Sequence, residues 1–281
     1  MHLRIRHRTE YAYASPPALA LQRLRLFPVD DAYATIRQWD VTVEGTERQG
    51  RFTDGFGNRT ELHALAPGSD RIAITVDGSV ETLMTSGVVP APADPTLWLY
   101  RRSTSLTRPD GGIHTLASAC DGSVAALHEL SARIRNAVAY AIGATDATTT
   151  AAEALERGAG VCQDHAHLFC AAARMAGIPA RYVSGYLRMN DRDEQDATHA
   201  WAEAHIEDLG WVGFDVSNGY SPDERYCSIA RGLDYRDAAP ISGIVRAPPG
   251  TETMQVALRV EAARDPGPGM EPGQSQSQSQ Q

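Results

Sequence analysis

The first 85 or so residues alternate apolar and polar positions with a period of two, which predicts β-strands. The alternation is clearest in four segments, at residues 3–13, 39–43, 72–76 and 80–84. Turn-forming residues (Gly, Pro, Asn and Asp) separate these segments. Several short strands at this spacing predict a β-sandwich-like domain over residues 1–90.

Four leucines of this region break the simple alternation. Leu19 and Leu21 lie in one phase of the period, whereas Leu24 and Leu26 lie in the other. A β-bulge inserts one residue and so exchanges the two faces of a strand. The sequence therefore predicts a bulge near residues 22–23.

The apolar period changes to about 3.6 residues near residue 121, which indicates helices. Apolar residues from Val124 to Val138 form one helical stripe. A second helix is predicted from Thr150, because the segment Thr-Ala-Ala-Glu has the pattern of a capping box. It is expected to end near Gly158, since glycine is the preferred residue just after a helix.

A third helix, rich in alanine, is predicted from Cys162 to Ala176, where Gly-Ile-Pro stops it. Three strand-like segments follow, at residues 181–188, 198–207 and 211–217. Helices followed by strands predict an α+β domain over residues 121–262. Residues 91–120, with several prolines and glycines, are expected to be a linker, and the Gln/Ser-rich residues 263–281 a disordered tail.

The composition is that of an acidic globular protein. The chain has 26 Lys and Arg residues, all of them arginine, against 35 Asp and Glu, for a net charge of −9. This balance argues against nucleic acid or an anionic membrane as partner. No apolar run approaches the ~20 residues of a membrane span. The N-terminus lacks the apolar core of a secretory signal, and four cysteines are too few for a disulfide framework, so a cytoplasmic location is expected.

Cys162 is the candidate nucleophile. It opens the third helix, where the positive end of the helix dipole favours a thiolate. Two glycines in residues 158–161 let the backbone turn tightly and allow a substrate carbonyl to approach. A lone cysteine is more often a small buried apolar residue, so this position alone does not establish catalysis.

A histidine and an aspartate complete a candidate catalytic arrangement. Strand alternation places four side chains on one face: His199, Trp201, Glu203 and His205. If the following hairpin turns about residue 208, Asp215 faces Trp201 and lies diagonal to His199. A register shifted by one residue would turn Asp215 to the other face. In the unshifted register, His199 would take the proton of the Cys162 thiol, and Asp215 would orient the imidazole.

These segments resemble bacterial transglutaminase-like proteins. The resemblance rests on residues 160–168 (GVCQDHAHL), 177–186 (GIPARYVSGY), 198–201 (THAW) and 210–215 (GWVGFD). Residues 7–13 (HRTEYAY), 24–28 (LRLFP) and 54–58 (DGFGN) resemble the N-terminal β-domain of the same group. The resemblance implies a papain-like, transglutaminase-core α+β domain with Cys162, His199 and Asp215 as its triad.

The chain departs from this family at three points. Val216 follows Asp215 where such proteins usually have proline, and Leu233 stands where they usually have arginine. The tryptophan that stabilises the transition state in animal-type transglutaminases has no counterpart that the sequence places, because the nearest upstream tryptophan is Trp98.

The same triad serves proteolysis, amide hydrolysis and transglutamination. A peptidase or amidase that acts on a peptide or protein through a thioester, without a cofactor, is the first interpretation. A protein-glutamine amine acyltransferase is the alternative, and so is a non-catalytic binding module that keeps the core. Gln163, Trp201 and Tyr140 are candidate substrate-binding residues. The oligomeric state is left open.

A zinc site is the competing interpretation of the nucleophile helix. Cys162, His165, His167 and Cys170 lie within nine residues. They do not share one helical face, and structural zinc usually takes two pairs of ligands separated by a longer loop. No metal is therefore predicted, and the two histidines are expected on the helix surface or behind the nucleophile.

Overall fold

The computed structural model describes residues 1–28, 33–90, 96–247 and 252–262. The strands, in chain order, are β1 (His2–Tyr13), β2 (Leu19–Leu24), β3 (Ala34–Glu44), β4 (Thr46–Thr53), β5 (Arg59–Leu65), β6 (Arg71–Thr82), β7 (Val88–Val89), β8 (Ala139–Tyr140), β9 (Ala159–Gly160), β10 (Ala180–Leu187), β11 (Glu194–Gln195), β12 (His199–Ile206), β13 (Gly210–Phe214), β14 (Tyr226–Gly232), β15 (Ile241–Arg246) and β16 (Glu252–Ala262). The helices are α1 (Gly111–Ala117), α2 (Val124–Ala137), α3 (Ala151–Arg157), α4 (Cys162–Met175) and α5 (Tyr235–Ala238), with a 3-10 helix at Leu97–Arg101.

The N-terminal strands form two sheets that share one apolar core, as the sandwich-like prediction requires. One sheet has the order β11-β16-β1-β6-β3 and the other the order β15-β2-β5-β4. Leu3 and Ile5 of the first sheet and Leu24 of the second belong to the same buried cluster. That cluster also includes Tyr186 and Ile229, from the sheet of the following domain. The two halves of the chain therefore pack through a continuous core.

Strands β15 and β16 pair with N-terminal strands, although the sequence-based division assigns them to the second domain. Strand β15 pairs with β2, and β16 pairs with β1 over eleven residue pairs. The predicted linker at residues 91–120 also contains helix α1, which packs against α3 and α4. Its residues 91–95, and the predicted tail at residues 263–281, lie outside the described residues.

The predicted bulge in β2 is wrong. Strand β2 keeps one register with both of its neighbours and alternates strictly, so that Ala20, Gln22 and Leu24 are buried. Leu19 and Leu21 occupy the outward positions of the same strand and are exposed. The phase change in the sequence arises because apolar residues stand on both faces of β2.

The second half is an α+β domain with α4 at its centre. A sheet of order β14-β10-β12-β13-β7 carries α4 on one face, and α1, α2 and α3 cover the helix from outside. The predicted helices are confirmed: the Ser123 side chain caps α2, and Thr150 and Glu153 form the capping box of α3. Gly158 ends α3 with a positive φ of 64°, a conformation that favours glycine. Within the described ranges, no helix is long and apolar enough to cross a bilayer.

Residues 188–198, called the strap below, run up to His199 and connect the two domains. The strap leads from β10 to His199, and its strand β11 adds to the edge of β16. A second connection is buried: His7 on β1 is hydrogen-bonded through Nδ1 to the Tyr186 hydroxyl on β10 (3.0 Å) and through Nε2 to Thr9 (2.9 Å).

We expect acid to weaken the folded state through His7. Burial lowers the pKa of His7 to about 4. An unfolded histidine has a pKa of about 6.5, so between these values the unfolded chain binds a proton that the folded chain does not. The free energy of unfolding should therefore fall as pH drops, by roughly 2 kcal/mol from this residue between pH 7 and pH 5.

Urea unfolding at the two pH values measures this loss. His7→Gln keeps a polar side chain but does not titrate, so the loss should be smaller in the variant. His167, whose pKa burial also lowers to about 4, keeps part of the pH dependence in both proteins. An equal loss in wild type and His7→Gln would contradict the assignment.

Candidate active site

The Cys162 side chain stands, half-buried, at the first position of α4, as predicted. The preceding turn is held by Asp164, whose Oδ2 accepts hydrogen bonds from the Val161 N–H (2.8 Å) and the Thr145 hydroxyl (2.6 Å). A Cβ at Gly160 would lie 2.8 Å from the Asp164 side chain, so only glycine fits there. The nucleophile loop is thus fixed from both sides of the cysteine.

The β12–β13 hairpin has the register on which the predicted histidine–aspartate contact depends. Ala202 pairs with Phe214, and the continuation of this register places Asp215 opposite Trp201. The diagonal contact forms: His199 Nε2 lies 2.6 Å from Asp215 Oδ2. Because Nε2 is engaged, Nδ1 is the imidazole nitrogen left for a thiol.

Asp215 is fully buried, and three partners compensate its charge. Its Oδ2 accepts hydrogen bonds from the Tyr226 hydroxyl and the Asn218 amide (each 2.7 Å), besides the contact with His199. Burial alone would raise the pKa of Asp215, but the charge of His199 and these hydrogen bonds lower it below its usual value. The carboxylate is therefore ionised at neutral pH.

His199 is held in its protonated form by the same arrangement. Burial would lower the pKa of His199, but the Asp215 carboxylate, the charge of Cys162 and hydrogen bonds to both raise it well above the usual value. An imidazolium between a carboxylate and a thiolate is the electrostatic state that a cysteine nucleophile requires.

A cleft of about 420 Å³ opens onto Cys162 and His199. Two of the predicted substrate-binding residues, Tyr140 and Gln163, line it. Strand β8 pairs in parallel with β9, and this pairing sets Tyr140 beside Gly160, two residues before the nucleophile. Burial, then the charges of Cys162 and Asp215, raise the pKa of Tyr140, which keeps its hydroxyl protonated.

Trp201, the third predicted substrate-binding residue, does not line the cleft. It is 2% exposed and lies one strand position inward from His199, with ring centroids 6.4 Å apart. Its ring packs edge-on against Tyr226 at 5.4 Å and belongs to a cluster with Val183. The cleft is located at the start of β12, so the next residue on the same face is already in the core.

The structure adds site residues that the sequence analysis missed. Asn218 lies in the turn after β13, only three residues after Asp215, so its nearness in the sequence could have indicated it. Tyr226 comes from β14 and meets Asp215 only through the fold. The strap lines the cleft through Met189, Arg192 and residues 195–198, and Tyr182, Ser184 and Tyr235 also line it.

The two histidines of α4 are buried, so of the two positions expected for them, the helix surface is wrong. Helix α4 is covered on all sides, which leaves it no solvent face beyond its ends. The ring nitrogens of His165 contact Ser217 Oγ (2.8 Å) and the Val138 carbonyl (2.9 Å), and His167 Nε2 accepts the Tyr235 N–H (3.0 Å). Among the residues that the structure describes, no group of His, Cys, Asp and Glu could hold a metal ion.

The chain matches the models of two protein families in succession. Residues 3–81 match the bacterial transglutaminase-like N-terminal region, and residues 114–216 match the transglutaminase-like superfamily. The chain therefore combines a bacterial transglutaminase-like N-terminal region with a core of the transglutaminase-like superfamily. The second match includes all three triad candidates, Cys162, His199 and Asp215.

Similar proteins include uncharacterised mycobacterial proteins of comparable length. One from Mycobacterium leprae is 28% identical over 262 residues, which cover 86% of this chain and 92% of the relative. One from Mycobacterium tuberculosis is 29% identical over 272 residues, covering 86% and 87%. A solved structure described as "a Putative Cysteine Protease from Cytophaga hutchinsonii" superposes with a TM-score of 0.75 at 22% identity, over 94% of this chain and 91% of that one. This transglutaminase-like protein therefore shares its whole fold with that structure.

We expect Cys162 to be the thiol that reacts fastest with iodoacetamide at pH 6. Burial raises the pKa of Cys120, and that of Cys170 to about 11, so these thiols are protonated at that pH. Asp215→Asn removes the charge that holds the proton on His199, and the rate at Cys162 should fall roughly tenfold or more. Mass spectrometry of the alkylated peptides measures each rate.

Asp223→Asn is the matched control, because Asp223 pairs with Arg225 nearby and does not contact the imidazole. Its Cys162 should react at the wild-type rate. A wild-type Cys162 that reacts no faster than Cys120 would contradict the thiolate–imidazolium pair.

Proposed function

We propose that the protein is a peptidase or amidase that cleaves amide bonds through a thioester on Cys162. The observation that carries the proposal is the geometry of the site. A half-buried thiol at a helix N-terminus shares an open cleft with His199, and the imidazole is in turn held at 2.6 Å by the buried Asp215. The likeness of the fold to a structure described as a cysteine protease agrees with it.

The proposed reaction begins with the thiolate. Cys162 Sγ bonds to the amide carbonyl carbon, and the carbonyl oxygen becomes an oxyanion at the N-terminus of α4. The first N–H groups of a helix have no acceptor within the helix, so they are available to stabilise this charge. As the C–N bond breaks, His199 gives its proton to the leaving amine, and a thioester remains.

Water then resolves the thioester. His199 takes a proton from the attacking water, the C–S bond breaks, and the acid leaves. The thiolate and the imidazolium are thereby restored, so the cycle needs no cofactor. The open cleft supports water as the acceptor. A primary amine in its place would make the protein an acyltransferase, the alternative within the family.

An acyl-donor screen with and without methylamine tests the proposal. Wild type should cleave peptide amides at the same rate in both conditions, and Cys162→Ala should lose roughly a thousandfold or more of the activity. Cys120→Ala, which removes another half-buried thiol, should keep the wild-type rate. Product that forms only with the amine would overturn hydrolysis, and equal turnover by Cys162→Ala would remove the mechanism.

The absence of lysine allows a separate test for acyl transfer between chains. In an acyltransferase a primary amine attacks the thioester, and this chain has no lysine side chain to supply one. The α-amino group of Met1 donates to the Thr82 carbonyl and is thus partly engaged. We expect purified protein to form no covalent ladder on a denaturing gel without added amine. A ladder that grows with time in wild type but not in Cys162→Ala would show transfer between chains.

A further inference from the structure

The outer face of the β15-β2-β5-β4 sheet carries large apolar side chains. Ile244 pairs with Leu21, and Arg23 of the same strand face pairs with Leu62. The side chains of Ile244, Leu21 and Leu62 are therefore neighbours, and the residues are 66%, 39% and 36% exposed. An outward sheet face is normally polar, so three adjacent large apolar residues indicate a binding surface.

This surface is one wall of a groove of about 610 Å³, called the sheet groove below. The opposite wall comes from the second domain: Ala147 and Thr148 of the turn before α3, and Tyr235 and Ala239 at α5. Each domain thus supplies one side of the sheet groove.

The sheet groove and the catalytic cleft adjoin at Tyr235, which lines both of them. The turn that contributes Thr148 also contacts the nucleophile region, because the Asp146 carbonyl accepts a hydrogen bond from Gln163 Nε2 (3.4 Å). A chain with one carbonyl at Cys162 would therefore meet the sheet groove if it extended past Tyr235.

The charged residues that line the sheet groove favour one kind of ligand chain. Among the described residues that line the sheet groove, Arg23 and Arg236 are charged, and none is acidic. Large apolar side chains of a ligand would bury against Ile244, Leu21 and Leu62. Acidic side chains would be favoured at the two arginines, whereas basic ones would be repelled.

We propose that the sheet groove is an extended subsite for a polypeptide substrate, specific for a segment with large apolar residues and no positive charge. This inference rests on the proposed function, since the occupant is the continuation of the chain whose amide bond is cleaved at Cys162. It gives the N-terminal β-domain a direct part in substrate selection. The preferred substrates are unfolded or extended polypeptides rather than short amides.

Two substrates of different length test the subsite. β-Casein is an unfolded, apolar chain that can fill both sites, and p-nitrophenyl acetate is small enough to reach the thiol alone. Ile244→Arg adds a third positive charge in place of the most exposed of the three apolar residues. We expect it to lower kcat/KM for β-casein about tenfold or more, mainly through KM, and to leave that for p-nitrophenyl acetate unchanged.

Met254→Arg is the matched control. Met254 is 60% exposed on β16 of the other sheet and does not line the sheet groove, so neither rate should change. An unchanged kcat/KM for β-casein in Ile244→Arg, or an equal loss with both substrates, would overturn the subsite.

Direct binding separates this inference from the proposed function. Fluorescein-labelled β-casein should bind Cys162→Ala at least about tenfold more tightly than Cys162→Ala with Ile244→Arg, measured by anisotropy. If wild type turns over neither substrate, the proposed function fails while this comparison still decides the subsite. Equal binding by both variants would refute it, as would a dimer seen in sedimentation that Ile244→Arg dissociates without altering the kinetics.

Discussion

The close packing of α4 between the sheet and three covering helices is the constraint on which the site depends. Among the buried residues of α4 are four alanines, Ala166 and residues 171–173, which are almost fully buried. On β12, the residues facing α4 are also alanines, at positions 200, 202 and 204. Small side chains on both elements bring their backbones close together. Cys162 at the end of the helix and His199 at the end of the strand thereby reach one cleft.

This packing also creates an electrostatic cost, which the surrounding residues offset. A carboxylate moved into a protein interior loses its hydration, so an unpaired Asp215 would be strongly unfavourable. Tyr226 and Asn218 hydrogen-bond to it, and His199 supplies the opposite charge. The imidazole of His199 therefore keeps its proton, and its positive charge offsets the negative charge of Asp215. The same interactions that make the buried aspartate tolerable keep the imidazole beside Cys162 protonated.

The sequence predicted those parts of the site that depend on local patterns. The capping box at Thr150, the glycine stop at Gly158 and the start of α4 at Cys162 are each encoded within a few residues. Given a turn centred on residue 208, strand alternation predicts the contact of Asp215 with His199, although the sequence alone left a register shifted by one residue open. The family resemblance indicates the same triad candidates, Cys162, His199 and Asp215.

The parts that the sequence did not predict are long-range. Tyr226 lies on β14, which two strands separate from β13 in the sheet, so no local period encodes its contact with Asp215 at the end of β13. The pairing of β16 with β1 joins residues some 250 positions apart along the chain. Strand alternation identified two faces of β12, but it could not show that Trp201 lies beneath the cleft rather than at it. Burial of a given position depends on what the rest of the chain places above it.

The error at β2 has a different origin and is the more informative one. Alternation predicts structure on the assumption that apolar residues face inward, and a bulge was needed to keep Leu19, Leu21 and Leu24 on one side. The strand is regular, and two leucines face out. Exposed leucines weaken the specification of a sheet, because burial on one face is what fixes its register. Leu21 lines the sheet groove, so a binding surface accounts for its outward position better than a core does.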